Sequence, residues 1–253
     1  MNDRFVTLSI ETATRLGSVC LSQGDEVLAS IAGEAVGSHS NTLLKQIQDV
    51  LGAAQKMLAE IDLFAVASGP GSFTGLRIGL ATIKGLAATL GRPCIGIPTL
   101  HAVARSGGVS PSTVALLPAG RGEVFAQMFA VTEEDTIVEL DQPTHSPLSD
   151  LLPRYSIHSN IVWCGEAAET YREAIVRWAE DRRLRFAESA ENPNHNARWS
   201  FAPPERVLAR HVAALAQLRI KRGDKGDPNS LRALYVRPSD AELNSNVHHA
   251  PGY

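Results

Sequence analysis

Cysteine is scarce in this chain. Cys20, Cys94 and Cys164 are odd in number, lie far apart and form no Cys-x-x-Cys pair. That argues against a disulfide framework or a cysteine-held zinc and fits a reducing cytoplasm. Long apolar runs are absent too: none approaches the roughly 18 residues of a membrane helix. The opening residues MNDRFVTLSIETAT pass straight into strand-like sequence, so no secretory leader is expected. An excess of positive charge is also missing. The net charge is −3, whereas a chain that holds nucleic acid unaided presents a basic face. The small clusters Arg182-Arg183-Arg185 and Arg219 to Lys225 read as solvated surface, the second at a helix C-terminus where it opposes the dipole. No His-Glu-x-x-His occurs, which excludes that metalloprotease signature.

What the chain does have is a stretch around which the rest is organised. Residues 65–90 read AVASGPGSFTGLRIGLATIKGLAATL. An apolar run, Leu63 to Ala67, meets Ser68-Gly69-Pro70-Gly71, and a long apolar pattern starts at once behind it; strand, tight turn, helix is the direct reading. Ser72 is placed to cap the helix. Gly71, Gly75 and Gly79 lie four apart, so they share one nearly bare helical face. Each interior glycine costs about 1 kcal/mol relative to alanine, and close approach of another backbone is the natural compensation. That neighbour is either the chain's own domain or a second subunit. Phosphate and nucleophile motifs fail here. No lysine follows in P-loop register, the third dinucleotide-binding glycine is one residue late, and Ser72 directly follows Gly71 instead of standing inside Gly-x-Ser-x-Gly.

In chain order, Phe5 to Ile10 reads as a strand. Ser18 to Ser22 and Glu26 to Ile31 read as a hairpin around Gln23-Gly24-Asp25. Leu43, Leu44, Ile47, Val50, Leu51 and Ala54 mark an amphipathic helix from Ser40, with His39 just ahead as a capping or packing residue. After the glycine helix come a strand at Pro93 to Ile97 and a helix to about Arg105. Ser106-Gly-Gly-Val-Ser-Pro111 is the clearest break. The element order then recurs: strand Thr113 to Leu117, hairpin Gly122 to Val131 and Thr136 to Leu140, a short helix near Pro147 to Leu152, strand Ile161 to Cys164, helix Glu166 to Glu180. The stretch from Glu191 to Pro204 reads as a loop, and Glu205 to Arg219 as a helix with His211 a satisfied core residue on its apolar side. The expected fold is α/β with duplicated βββαβα lobes: a first lobe over 1–105, a second over 112–238, and a disordered tail over 239–253.

Ser68-Gly-Pro-Gly-Ser-Phe-Thr-Gly-Leu-Arg-Ile-Gly79, followed by Lys84-Gly-Leu-Ala87, resembles the signature of the bacterial tRNA threonylcarbamoyladenosine biosynthesis proteins of the TsaB (YeaZ) family. Leu234-Tyr235-Val236-Arg237 is similar to the same family's ending. Two positions depart from the family near His39, where Asn41 and Lys45 replace Glu and Pro. A third departs at Pro118-Ala-Gly-Arg121-Gly-Glu123-Val124, which lacks the family's Asp.

The resemblance implies a two-lobed actin-like ATPase fold and a non-catalytic subunit. That subunit acts with TsaD and the ATPase TsaE to threonylcarbamoylate the adenosine at position 37, beside the anticodon, in tRNAs reading codons that start with A. ATP and metal are then expected on the partner subunits, tRNA is met only through the complex, and the chain alone forms a homodimer. In the catalytic relative a metal is held by two histidines separated by three residues; as aligned, Thr99 and Val103 stand at those places, with His101 alone between them. The expected partner seam joins both N-terminal helices through His39, Leu43, Leu44, Ile47, Phe73, Thr74, Gly75, Arg77 and Gly79. A weak nucleotide or anion site is expected at Glu11, Thr12, Gly69, Gly71 and Arg121. Two other readings stay open: an actin-like-fold ATPase or kinase using that second set of residues, and a free-standing RNA-binding module.

Overall fold

Two β-sheets, each with its own helices, follow one another along the chain. The computed structural model describes residues 5–33, 39–134, 136–186 and 198–236, with backbone alone at 39–41 and 198. The expected tail at 239–253 lies outside the described residues. The first sheet has the order β3-β2-β1-β4-β5, built from β1 (Val6–Glu11), β2 (Ser18–Gln23), β3 (Glu26–Ala32), β4 (Leu63–Gly69) and β5 (Cys94–Pro98). β2 pairs antiparallel with β1 and β3 antiparallel with β2, whereas β4 adds parallel to β1 and β5 parallel to β4 through helical crossovers. The crossovers include α1 (His39–Ala53) and α2 (Phe73–Leu90).

The second sheet starts from β6 (Ser110–Gly120) and β7 (Glu123–Val131), an antiparallel pair. β8 (Ile137–Glu139) and β9 (Thr144–Pro147) both pair with β7. On the other side β10 (Ile161–Cys164), β12 (Arg198–Phe201) and β11 (Arg185–Phe186) add in parallel. One face is covered by α4 (Leu148–Tyr155), α5 (Glu166–Thr170) and α6 (Arg172–Glu180) over a core centred on Trp163 and Trp199. The single helix expected over Glu166 to Glu180 is broken at Tyr171. The loop expected over Glu191 to Pro204 contains β12, which pairs with the core strand β10.

The largest departure from the expected lobes is α7 (Leu208–Lys221). It lies along β1, β2 and β4 of the first sheet, opposite α1 and α2, instead of closing the second lobe. Period-two alternation gives the reason. Thr7 and Ser9 of β1, with Ser18 and Ser22 of β2, are fully buried polar residues that need partners. α7 supplies them. Ser9 donates to the Ala209 carbonyl at 2.8 Å, the Ala209 amide donates to Ser18 at 3.0 Å, and Gln217 donates to Thr7 and Ser22. α3 (Thr99–Ser106) packs beside α7 and also touches β6 and β7, so one hydrophobic core runs from the first sheet into the second. Beyond α7, residues 224–236 cross back over the first sheet as a strap. The Cys94 amide donates to Gly226 and the Leu234 amide to Ser68, each at 2.7 Å.

Candidate functional site

The turn after β4 is held from three sides. Ser72 caps α2 as expected, accepting from the Gly75 amide at 3.2 Å, and its own amide donates to the Ala13 carbonyl at 2.8 Å. The Gly69 amide donates to the Thr99 hydroxyl at 3.1 Å. Above the turn, the Phe73 ring lies between the Arg77 guanidinium, 3.8 Å from its centroid, and the Tyr235 ring at 5.4 Å.

The glycine row answers the question left open by its spacing. Gly75 and Gly79 face inward, onto the end of β1. A Cβ on Gly75 would overlap the Thr12 carbonyl oxygen, and one on Gly79 would overlap the Thr12 hydroxyl. That hydroxyl donates to the Gly75 carbonyl at 2.7 Å. The bare face is therefore filled by the chain's own first lobe, and Gly75 and Gly79 are removed from the expected partner seam. Leu43 and Ile47 leave it too, because they are 3% and 5% exposed within the core. Leu44, Thr74 and Arg77 do face solvent, Leu44 at 62% exposure. Phe73 is half-buried in its aromatic stack, and the His39 side chain lies outside the described residues. A second row of small residues lies on the other side of the helix. Arg77, Ala81, Gly85 and Thr89 are exposed every fourth residue along the outside of α2, with open space over Gly85. Beside them α1 exposes Leu44, Gln48 and Gly52.

The five expected anion-site residues are not brought together as a set. Glu11 is buried, with its oxygens accepting from the Thr14 amide at 2.7 Å and hydroxyl at 2.6 Å. Burial raises its pKa to about 7 against the lowering effect of those bonds, and Glu166 across the cleft pushes it the same way. Thr12 turns to the glycine helix, while Gly69 and Gly71 are pressed against Leu234 and Ala13. Arg121 sits at the β6–β7 turn in a left-handed conformation, φ 53°. Between the lobes runs a cleft of about 690 Å3, bordered by the β1–β2 turn, α3, the start of α5 and residues 202–208. His211 is 6% exposed behind this cleft and contacts Arg105 at 3.0 Å and Glu205 at 2.9 Å, a satisfied core histidine as expected. Burial first, then Arg105, holds its pKa below the usual value.

A metal does not fit where the catalytic relative would carry its histidine pair. The Thr99 hydroxyl is buried against the Gly69 amide, and Val103 offers no donor. His101 instead pairs with Glu139 at 2.9 Å. Among the described residues no three His, Cys, Asp or Glu side chains converge on a metal-sized position, and no helix is long and apolar enough to cross a membrane.

Residues 31–239 match the family model described as TsaD: tRNA N6-adenosine threonylcarbamoyltransferase. The chain belongs to this family. Within the family it is similar to the tRNA threonylcarbamoyladenosine biosynthesis protein TsaB of Escherichia coli, 36% identical over 122 residues, which are 47% of this chain and 52% of that one. It is also 42% identical over 64 residues to the tRNA N6-adenosine threonylcarbamoyltransferase of Solidesulfovibrio magneticus, 25% of this chain and 17% of that one. The chain thus spans about half the length, or less, of the curated relatives it matches. YeaZ from Pseudomonas aeruginosa superposes with a TM-score of 0.67 at 20% identity, over 91% of this chain and 99% of that one. The TsaB/YeaZ resemblance of the glycine signature stands, and the fold is the one YeaZ has.

Proposed function

We propose that this chain is the non-catalytic partner subunit in threonylcarbamoylation of the adenosine at position 37 of tRNAs reading codons that start with A, working in the cytoplasm with TsaD and TsaE. The observation that carries the reading is the state of Thr99 and Val103. Both positions are built into the core, Thr99 as acceptor for the signature turn, so the place of a metal-binding pair has become structural support. The similarity to TsaB proteins supports the same role. Cofactor and metal are then supplied by the partners.

The seam with TsaD moves outward relative to the glycine row. The exposed strip Leu44, Gln48 and Gly52 on α1, with Ala81 and Gly85 on α2, leaves room for a partner helix to approach closely. Alone, the chain would use the same strip on a second copy of itself. The test is reconstitution. Added to TsaD and TsaE, this chain should restore tRNA modification that the other two do not perform. Ala81→Arg, on the surface and away from the core, should leave the fold intact and abolish both pull-down of TsaD and restoration. Unchanged binding by folded Ala81→Arg places the seam elsewhere. Turnover of ATP by the isolated chain would favour the ATPase or kinase reading instead.

A further inference from the structure

The lobes are joined across the cleft by a carboxylate. Arg15, in the turn between β1 and β2, directs its amide N–H outward. Glu166 accepts it from the other lobe, with Oε1 at 3.0 Å and Oε2 at 3.3 Å. A backbone amide facing a carboxylate in this way is a charge-assisted bond, stronger than its neutral counterpart.

Neither partner has much freedom to withdraw. The Arg15 turn is braced from behind, because Thr14 binds the Glu11 carboxylate and also accepts from the Gly17 amide. Glu166 is braced by Gly165, whose φ of 100° belongs to the left-handed region. A Cβ on Gly165 would overlap the Leu116 carbonyl oxygen and come within 2.9 Å of Val103 Cγ1. The start of α5 is therefore seated directly against β6 and α3. The position filled by the Glu166 carboxylate is also where a free anion entering the cleft would find the Arg15 amide. To reach it, a phosphate would have to displace one carboxylate and come to rest beside the buried Glu11.

We propose that Glu166 is an internal anion: its carboxylate fills the anion-accepting place of the β1–β2 turn, clips the two lobes together without any ligand, and shuts phosphate-bearing molecules out of the cleft. This goes beyond the proposed subunit role and does not depend on it. A cleft of this size remains empty of small anions, and the relative position of the lobes is set by the chain itself instead of by what it binds.

The test follows residue-resolved hydrogen exchange of the Arg15 amide, together with titration of inorganic phosphate, on the full chain. Glu166→Ala should speed exchange of that amide at least about tenfold, since it loses its acceptor, and should take up phosphate with chemical-shift changes in residues 12–17. The unaltered chain should take up none at the same concentrations. Glu166→Gln keeps a neutral acceptor and serves if the alanine variant does not fold; its Arg15 amide should stay protected without phosphate, and added phosphate, meeting no charge there, should displace the side chain and shift residues 12–17. Glu169→Ala is the control, because Glu169 borders the same cleft but pairs with Arg172 of its own lobe; it should alter neither readout. Equal Arg15 exchange in Glu166→Ala and the unaltered chain overturns the proposal. So does phosphate uptake by the unaltered chain as strong as that of the variants, or no uptake by either variant.

Discussion

The two faces of α2 carry the same kind of side chain and meet opposite fates. Inward, Gly75 and Gly79 are closed over by Thr12, with a hydrogen bond from its hydroxyl to the helix backbone. Outward, Ala81 and Gly85 are exposed, and among the described residues a Cβ on Gly85 would project into open space. Small residues at fourfold spacing therefore report only that something comes close. Whether that something is the same chain or another is decided by which way the helix is rolled on its sheet, and Leu76, Leu80 and Ile83 set the roll by burying the glycine side.

The sharpest way to break the comparison is one methyl group placed on each face. Gly75→Ala drives a Cβ into the Thr12 backbone, which cannot yield without moving β1, so a loss of more than about 3 kcal/mol is expected in chemical denaturation. Next in size is a pH effect confined to the inner side. Folding raises the pKa of Glu11 from 4.5 to about 7, chiefly by burial. Between those values the folded chain holds a proton that the unfolded chain has released, so stability falls as pH rises through that window. Glu11→Gln stays neutral throughout. Its stability relative to the unaltered chain should therefore climb by up to about 3 kcal/mol from pH 4.5 to 8. His211, whose pKa is lowered, acts in the opposite direction, losing stability as pH falls, but it is present in both proteins and cancels in the difference. The smallest effect is expected outside: Gly85→Ala should raise stability by no more than about 1 kcal/mol and leave the pH profile unchanged. A cost at Gly85 equal to that at Gly75 would erase the distinction between the faces.

Much of the first lobe was legible because its elements are long enough for a period to declare itself. The hairpin, the amphipathic α1 and the strand–turn–helix of the signature all follow from spacing and turn residues, down to the Ser72 cap. Two kinds of feature escaped. Strands of two to four residues, β9, β11 and β12, complete too few repeats to show a pattern, and the polar setting of β12 reads as loop. The destination of α7 escaped for a different reason. Thr7 and Ser9 alternate with Leu8 and Ile10 as in a half-exposed strand, and only long-range packing reveals that the polar face is covered by a helix some 200 positions away. The exposed side of these helices is half legible: Leu44, Thr74 and Arg77 are expected at the surface and lie there, whereas the glycines of the signature face inward.

The strap over residues 224–236 has a consequence for association. β5 is the outermost strand of its sheet, and a bare outer strand recruits others. Here Gly226 takes the Cys94 amide, and Arg219 occupies the Gly96 carbonyl at 2.8 Å. At the opposite margin, the β2–β3 pairing shifts register between Leu21 and Ser22, which spoils a straight template. Both rims of the first sheet are thus unsuited to growth by strand addition, which leaves its helices as the faces open to association.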